Sequence, residues 1–403
     1  MIYLDNAATT PIHPAVLEAM MPYLKDDFGN AGTMYELGRK AADAVAKARK
    51  QVAELIGTTP EHIVFTSGGS EANNLAIHGL LPHLKKVGKT HIITSMVEHD
   101  SVLKAVNSVC NPLGDNTKNN IKHDFGASFL SVDRSGVVSV DELENTITSD
   151  TGLVSVMYVN NESGAVMPVR EIADVCRKHK ILFHTDCVQA LGFQNINVEK
   201  IGCDLLSISA HKINAPKGIG ALYVRDPNLI SPIICGGAHQ EYGLRGGTEN
   251  VAGIVGFGEA CNIIQTETVG ERSDKLYCLR DVFANALKKN LARFRLCSTL
   301  HFNSPDRSKM LNIRFDRIDG QTLLLMLDAK GVCVSAGSAC RSHETHPSHV
   351  LLAMGFSEDE AKDSIRISFD PHMTYFDVET AAVRMSECVV ALNGIVVNEG
   401  VMI

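Results

Sequence analysis

The sequence predicts an α/β protein with a mostly parallel central sheet and a smaller α+β unit after it. Three observations lead there. Short apolar runs alternate with helix-periodic segments through the first half of the 403 residues, the mark of successive βαβ units. Polar, chemistry-bearing residues collect where those apolar runs end, as in open α/β sheets whose ligands bind beyond the carboxyl ends of the strands. From about residue 256 a long helical pattern replaces the alternation, so the expected domains are 1–255 and 256–403.

Taken in order, the strand-like IYLD is followed by the turn-rich NAATTPIHP and an apolar helix over 15–23. FGNAGTMYELG at 28–38 reads as a loop, and RKAADAVAKARKQVAELIG as a helix that closes at Gly57. HIVFTSGGSEANNLAIHGLL is strand, glycine-rich turn and helix, and KTHIITSMVEHDSVLKAV repeats that order with His99 at the junction. GLVSVMYVNNESGAVMPV is a buried strand running into a polar loop, EIADVCRKH a helix, and ILFHTDCVQALG a strand ending at Asp186. DLLSISAHKINAPKGIGALYV at 204–224 is two apolar runs separated by a polar turn that carries Ser209, His211 and Lys212. Residues 107–127 are polar and turn-rich, as expected of a surface insertion. The helical pattern over 256–268 continues through SDKLYCLRDVFANALKKNL as the bridge into the second unit.

Composition narrows the function classes. A net charge of −8 and a pI near 6.1 argue against a strongly basic surface, so direct nucleic-acid binding is not expected. No apolar run approaches the roughly 18 residues of a membrane span. The amino terminus lacks the basic and apolar regions of a secretion signal, and a cytoplasmic protein is the expectation. Eleven cysteines without a CxxC pair form neither a disulfide framework nor a zinc site, and no metal is expected. Most should be buried fillers, Cys333 and Cys187 among them.

A lysine in a hairpin turn is as a rule a solvated surface group. Held between two sheet strands, however, Lys212 is a candidate for covalent chemistry with a carbonyl or a pyridoxal aldehyde. TSGGSEANN opens a helix with small residues, so Gly69 and Ser70 can offer backbone N–H groups to a phosphate. It is neither a G-x-G-x-x-G fingerprint nor a P-loop, which weakens nucleotide-binding readings. Asp186 could be only a turn aspartate. It could also keep a pyridine nitrogen protonated, the condition under which pyridoxal phosphate stores electrons. Gln189 and Asn161 lie at strand ends that could reach the ring hydroxyl, and His99 is suited to stacking and proton transfer. Ser209 and His211 would extend the phosphate contacts. In SAGSAC, Cys340 sits among small residues beside Arg341, a setting for an exposed thiol that reaches its thiolate form.

TSGGSEANN, EHDS, NNESG, HTDCVQA, SAHK and GGTEN, in this order and at these separations, resemble the class V aminotransferase-like family of pyridoxal phosphate enzymes. Within it the likeness is to cysteine desulfurases and selenocysteine lyases, and it covers nearly the whole chain. The resemblance implies the type I fold of pyridoxal-phosphate-dependent transferases. Residues 1–255 would form an amino-terminal strap and large cofactor-binding domain, and 256–403 a smaller domain carrying the catalytic cysteine loop. It implies Lys212 as the Schiff-base lysine, Asp186 as the pyridinium partner and His99 as the stacking and acid–base histidine. Gln189 and Asn161 become ring-hydroxyl contacts, with Gly69, Ser70, Ser209 and His211 at the phosphate. Thr248 would reach the phosphate of a partner subunit, which makes a homodimer with shared active sites. Arg366, in SIRIS, and Asn161 would hold the substrate, with the Arg366 guanidinium on its carboxylate.

The implied activity is removal of sulfur from L-cysteine, leaving L-alanine and a persulfide on Cys340 for a sulfur-acceptor protein. Iron–sulfur cluster assembly, thiolation and DNA phosphorothioation are the implied destinations. The alternative is a selenocysteine lyase acting on L-selenocysteine. Three features depart from the family pattern: GNAGT in place of GNPSS, one residue more before Thr248, and the stretch at 107–127.

Overall fold

The computed structural model describes residues 1–112, 124–296, 298, 300–303, 309–336 and 347–399. Cys340 and Arg341 therefore lie outside the described residues, as do residues 113–123 of the polar stretch. The chain begins with β1 (Ile2–Tyr3), α1 (Pro14–Lys25) and α2 (Glu36–Leu55). Helix α2 buries Ala41, Ala44, Ala48 and Val52 on one face. It starts at Glu36, inside the expected loop, where close packing of Gly38 on the preceding turn, rather than a side-chain cap, sets its beginning. A Cβ at Gly38 would stand 2.3 Å from the Thr33 carbonyl oxygen, and Tyr35 makes no side-chain cap.

Strands and helices then alternate. They run β2 (Ile63–Thr66), α3 (Gly69–Lys86), β3 (His91–Ser95), α4 (Asp100–Val109), β4 (Cys110–Pro112), β5 (Phe125–Leu130) and α5 (Val140–Thr146). Next come β6 (Thr151–Ser155), α6 (Val169–His179), β7 (Leu182–Asp186), α7 (Val198–Ile201), β8 (Leu205–Ser209) and β9 (Gly220–Val224). The ends of the stretch at 107–127 are thus regular: α4 closes at Val109, and β4 and β5 pair in parallel.

The second half holds α8 (Val251–Glu267), α9 (Val269–Ala292), β10 (Leu300–Phe302), β11 (Met310–Phe315), α10 (Gly320–Ala329), β12 (Val332–Cys333) and β13 (Ser335–Ala336). It closes with α11 (His349–Ala353), α12 (Glu358–Lys362), β14 (Ser364–Ser368) and α13 (Tyr375–Glu399). The long helix read from the sequence is two helices. Thr268, at φ 58 and ψ 141, breaks it, and its hydroxyl caps α9 by accepting the Glu271 N–H. Helix α8 runs without interruption through the expected boundary at 255/256.

The eight-stranded sheet has the order β2-β9-β8-β7-β6-β3-β5-β4 among the described residues. Only β9 runs antiparallel to its neighbours. The carboxyl ends of β2, β3, β6, β7 and β8 therefore share one edge, and the residues that follow them meet there. Strands β8 and β9 are buried at every position, as central strands covered on both faces must be.

A four-stranded antiparallel sheet, β10-β11-β14-β13, carries the carboxyl-terminal half. Strand β1 pairs in parallel with β12, and Asp5 bridges to Ser368. The amino-terminal strap is thereby tied to the second half before it crosses the edge of the large sheet. Cys187 is fully buried, and burial holds its thiol well above the ordinary range. Cys333, expected in the core, is only half-buried, because β12 alternates: Val332 is buried and Cys333, the next residue, points to the opposite face. No helix among the described residues is long and apolar enough to cross a membrane.

Candidate active site

Lys212 closes a one-turn 3-10 helix (Ala210–Lys212) between β8 and β9. The antiparallel pairing of those strands brings Gly220 beside Ser209. A Cβ at Gly220 would lie 2.7 Å from the Gly68 Cα, so only glycine lets the start of β9 close on the turn before α3. The strap passes over the lysine. Its ammonium donates to the carbonyl oxygens of Ala7 at 2.5 Å and Ala8 at 2.7 Å. Thr10 donates through both its N–H and its hydroxyl to the His211 carbonyl. Burial, and then the charges of Lys212 and Lys217, pull the His211 imidazole down to about 4, so the ring is neutral near pH 7.

Lys212 stands on the wall of a cavity of about 290 Å³. Gly69, Ser70, His99, Asn161 and Asp186 line it, and so do Gln189, Ser209, His211 and Arg366. Thr248 does not line it and is exposed. Cys340 lies outside the described residues.

At one end the polar groups form a connected network. Asp186, 5% exposed, accepts from Asn73 Nδ2 at 2.7 Å and from the Val188 N–H at 2.9 Å. The same Asn73 amide donates to Ser101 Oγ at 2.9 Å. Ser101 Oγ lies 2.8 Å from His99 Nδ1, which also accepts the Ser101 N–H as the cap of α4. With Nδ1 accepting, the neutral ring carries its proton on Nε2. Two bonded residues thus connect Asp186 to His99.

Arg366, on β14, donates to the Asn161 carbonyl at 2.8 Å and to Asp5 at 2.8 Å. Its Nε has no partner among the described residues. The same holds for four other buried atoms of the wall: Asn73 Oδ1, Asn161 Oδ1, Gln189 Oε1 and Ser209 Oγ. Each such atom costs roughly 1–3 kcal/mol when left unbonded. Their convergence on one cavity identifies where a polar ligand would be held.

Several contributors escaped sequence reasoning. Asn73 lies within TSGGSEANN, but nothing local says that it reaches Asp186. Glu98, in EHDS, is fully buried. It accepts from Ser95 Oγ and from the Met157 N–H, yet burial pushes its carboxyl up to about 8. Glu162, in NNESG, accepts from Ser348, the cap of α11. His349 lies 3.1 Å from the Glu98 carbonyl oxygen. A carboxylate beside a motif residue was the available signal, although buried acids are rare.

Comparison with known proteins gives the family. A family model described as Aminotransferase class-V matches residues 2–380. A cysteine desulfurase IscS from Dictyoglomus turgidum is 42% identical over 380 residues, covering 94% of this chain and 91% of that protein. A solved NifS-like protein superposes with a TM-score of 0.85 at 33% identity, covering 97% of this chain and 99% of the other. A structure described as SspA in complex with cysteine gives a TM-score of 0.75 at 35% identity, over 93% of this chain and all of that one.

Proposed function

The chain belongs to the Aminotransferase class-V family, and on that premise we propose that it is a pyridoxal-phosphate-dependent cysteine desulfurase, taking sulfur from L-cysteine and leaving L-alanine. One observation carries the reading: a lysine and an Asn73-supported aspartate face one cavity whose wall holds five buried polar atoms without partners among the described residues. Those residues fit the cofactor. Ser209, His211, Gly69 and Ser70 would hold its phosphate, Gln189 and Asn161 its ring hydroxyl, Asp186 its ring nitrogen and Lys212 its aldehyde. When bound, the cofactor supplies an electron sink for cleavage at the substrate's carbon–sulfur bond.

The chain's own residues supply the rest. Asp186 is held by Asn73 and Val188, so its carboxyl group is oriented before a ligand arrives. His99, oriented by Ser101, exposes Nε2 as the proton carrier. Arg366 keeps Nε available for the substrate carboxylate while Asp5 and the Asn161 carbonyl fix its plane. Lys212, which the strap carbonyls position, would serve as the base in its neutral amine form. In the proposed exchange the Cys340 thiolate attacks the substrate sulfur, an S–S bond forms and the C–S bond breaks. Cysteine plus enzyme thiol gives alanine plus enzyme persulfide, with no external oxidant. The persulfide would then pass to an acceptor protein.

A homodimer with shared sites is part of the proposal. Thr248 stands exposed outside the cavity of its own chain, as a group serving a second copy would. Residues 1–255 are proposed as the strap and cofactor-binding unit and 256–403 as the cysteine-bearing unit, working in the cytoplasm.

Purified protein supplied with pyridoxal phosphate and L-cysteine should release alanine and, with a reducing thiol, an equal amount of sulfide. Lys212→Ala should lower turnover by roughly three orders of magnitude or more, and Cys340→Ala should abolish persulfide. Wild-type protein inert on cysteine but active on selenocysteine would replace this reading with a selenocysteine lyase.

A further inference from the structure

Between β9 and α8 the backbone does something costly. Glu241 (φ 41, ψ 47) and Tyr242 (φ 58, ψ 25) are successive non-glycine residues in the left-handed region. Such geometry persists only where the surroundings over-determine it, and it gathers at functional sites. The surroundings here are specific. The Glu241 carboxylate, 6% exposed, pairs with both terminal nitrogens of Arg49 at 2.7 and 2.6 Å and accepts the Phe65 N–H at 2.7 Å. Arg49 also donates to the Ile63 carbonyl at 2.7 Å, and its guanidinium lies 4.6 Å from the Phe65 ring and 5.3 Å from the Tyr242 ring.

Strand β2 is the edge of the large sheet, and the Ile63 carbonyl and Phe65 N–H face its open side. The ion pair bonds both groups as a further strand would. It does so one residue before Thr66, where the phosphate-end turn begins. Further on, Gln240 Oε1 accepts the N–H groups of Gly237 at 3.0 Å and Gly247 at 2.8 Å. Arg245 pairs with Glu71, in the first turn of α3, at 2.9 Å. All this fastening ends one residue before Thr248, which makes no contact with its own cavity. On the same segment Ile233, Ile234 and Tyr242 are exposed, as are Met34 and Tyr35 on the loop whose Gly32 lies beside His239. Such a surface suits a second copy of the chain.

We propose that the Arg49–Glu241 pair is a positioning device that acts across the subunit interface, setting Thr248 of one protomer at the phosphate end of the other protomer's cavity. This rests on the shared-site reading above. Glu241 is thus a positioning residue for a site in which its own chain's Lys212 takes no part.

Hybrid dimers with two purification tags test it. In the first hybrid one chain carries Glu241→Gln with Lys212 intact, and the other carries Lys212→Ala. In the second, one chain carries both substitutions and the other is wild type. Each dimer is titrated with pyridoxal phosphate and reduced with borohydride, and the labelled lysine is read by mass. The half-saturating concentration should rise about tenfold in the second hybrid, the loss of one charge-assisted hydrogen bond, and stay within twofold of wild type in the first. Gln240→Ala, which removes the clamp on Gly247 without unpairing a buried charge, should give the same asymmetry if Glu241→Gln does not fold. An equal rise in both hybrids, a rise in the first alone, or no rise in either overturns the proposal. A wild-type dimer that never labels overturns the cofactor reading itself, and this proposal with it.

Discussion

At one end of the cavity Asp186 holds the amide of Asn73 and the N–H of Val188, and through Asn73 and Ser101 it reaches His99. At the other end the Ser209 hydroxyl has no partner among the described residues, and Thr248 stands outside the cavity. Asp186 and His99 are held before any ligand arrives, so their placement is a property of the folded chain. The second end keeps the Ser209 hydroxyl for a ligand, and the segment that leads to Thr248 is held by the Arg49–Glu241 pair. Reactivity and affinity should therefore be separable: the network end governs the rate and the open end governs retention of the cofactor.

The largest effect should come from Asp186→Asn. The amide removes the negative charge from the network end, and kcat should fall by roughly a hundredfold or more in steady-state alanine release at saturating cofactor. A variant with normal kcat and only weakened cofactor binding would erase the contrast between the two ends. Ser209→Ala should act in the opposite way. Cofactor affinity should fall about tenfold, with kcat at saturation within twofold of wild type. The melting temperature without cofactor should be unchanged or slightly higher, because no bond is lost. A large drop there would mean that this end is already bonded within the chain.

The smallest effect on turnover, and the sharpest on pH, belongs to Glu98. Its carboxyl keeps its proton up to about pH 8 in the folded state, against an ordinary value of 4.5. Between those values the native state binds the extra proton, so this group's contribution to stability falls as pH rises from 4.5 to 8 and is level above. Glu98→Gln keeps an acceptor for Ser95 and Met157 and should flatten that decline. Melting temperatures of both proteins at pH 6 and pH 8 measure it, and identical slopes would show that Glu98 ionises freely.

Much of the site was legible because the signal was local. An apolar run followed by a polar residue marks a strand end, which located Asp186, Asn161, His99 and the Lys212 turn. The parallel topology then gathers those ends on one edge. What was not legible depends on contacts without a local pattern. Asn73 reaches Asp186 across 113 positions of sequence, and Arg49 reaches Glu241 across 192. The helix break at Thr268 was missed because apolar periodicity continues through it, while the threonine cap that ends one helix and starts another occupies a single residue.

The sequence alone determined the alternation of strands and helices, the residues that occupy the strand ends and the family to which the motifs point. These follow from periodicity and from the order of short motifs along the chain. Tertiary structure alone decided that the strap carbonyls hold Lys212, that Asn73 and Ser101 join Asp186 to His99, and that a buried ion pair covers the sheet edge and fastens the Thr248 loop. Each needs side chains distant in sequence to meet within hydrogen-bonding distance, and only the closed sheet with its helices in place brings them there.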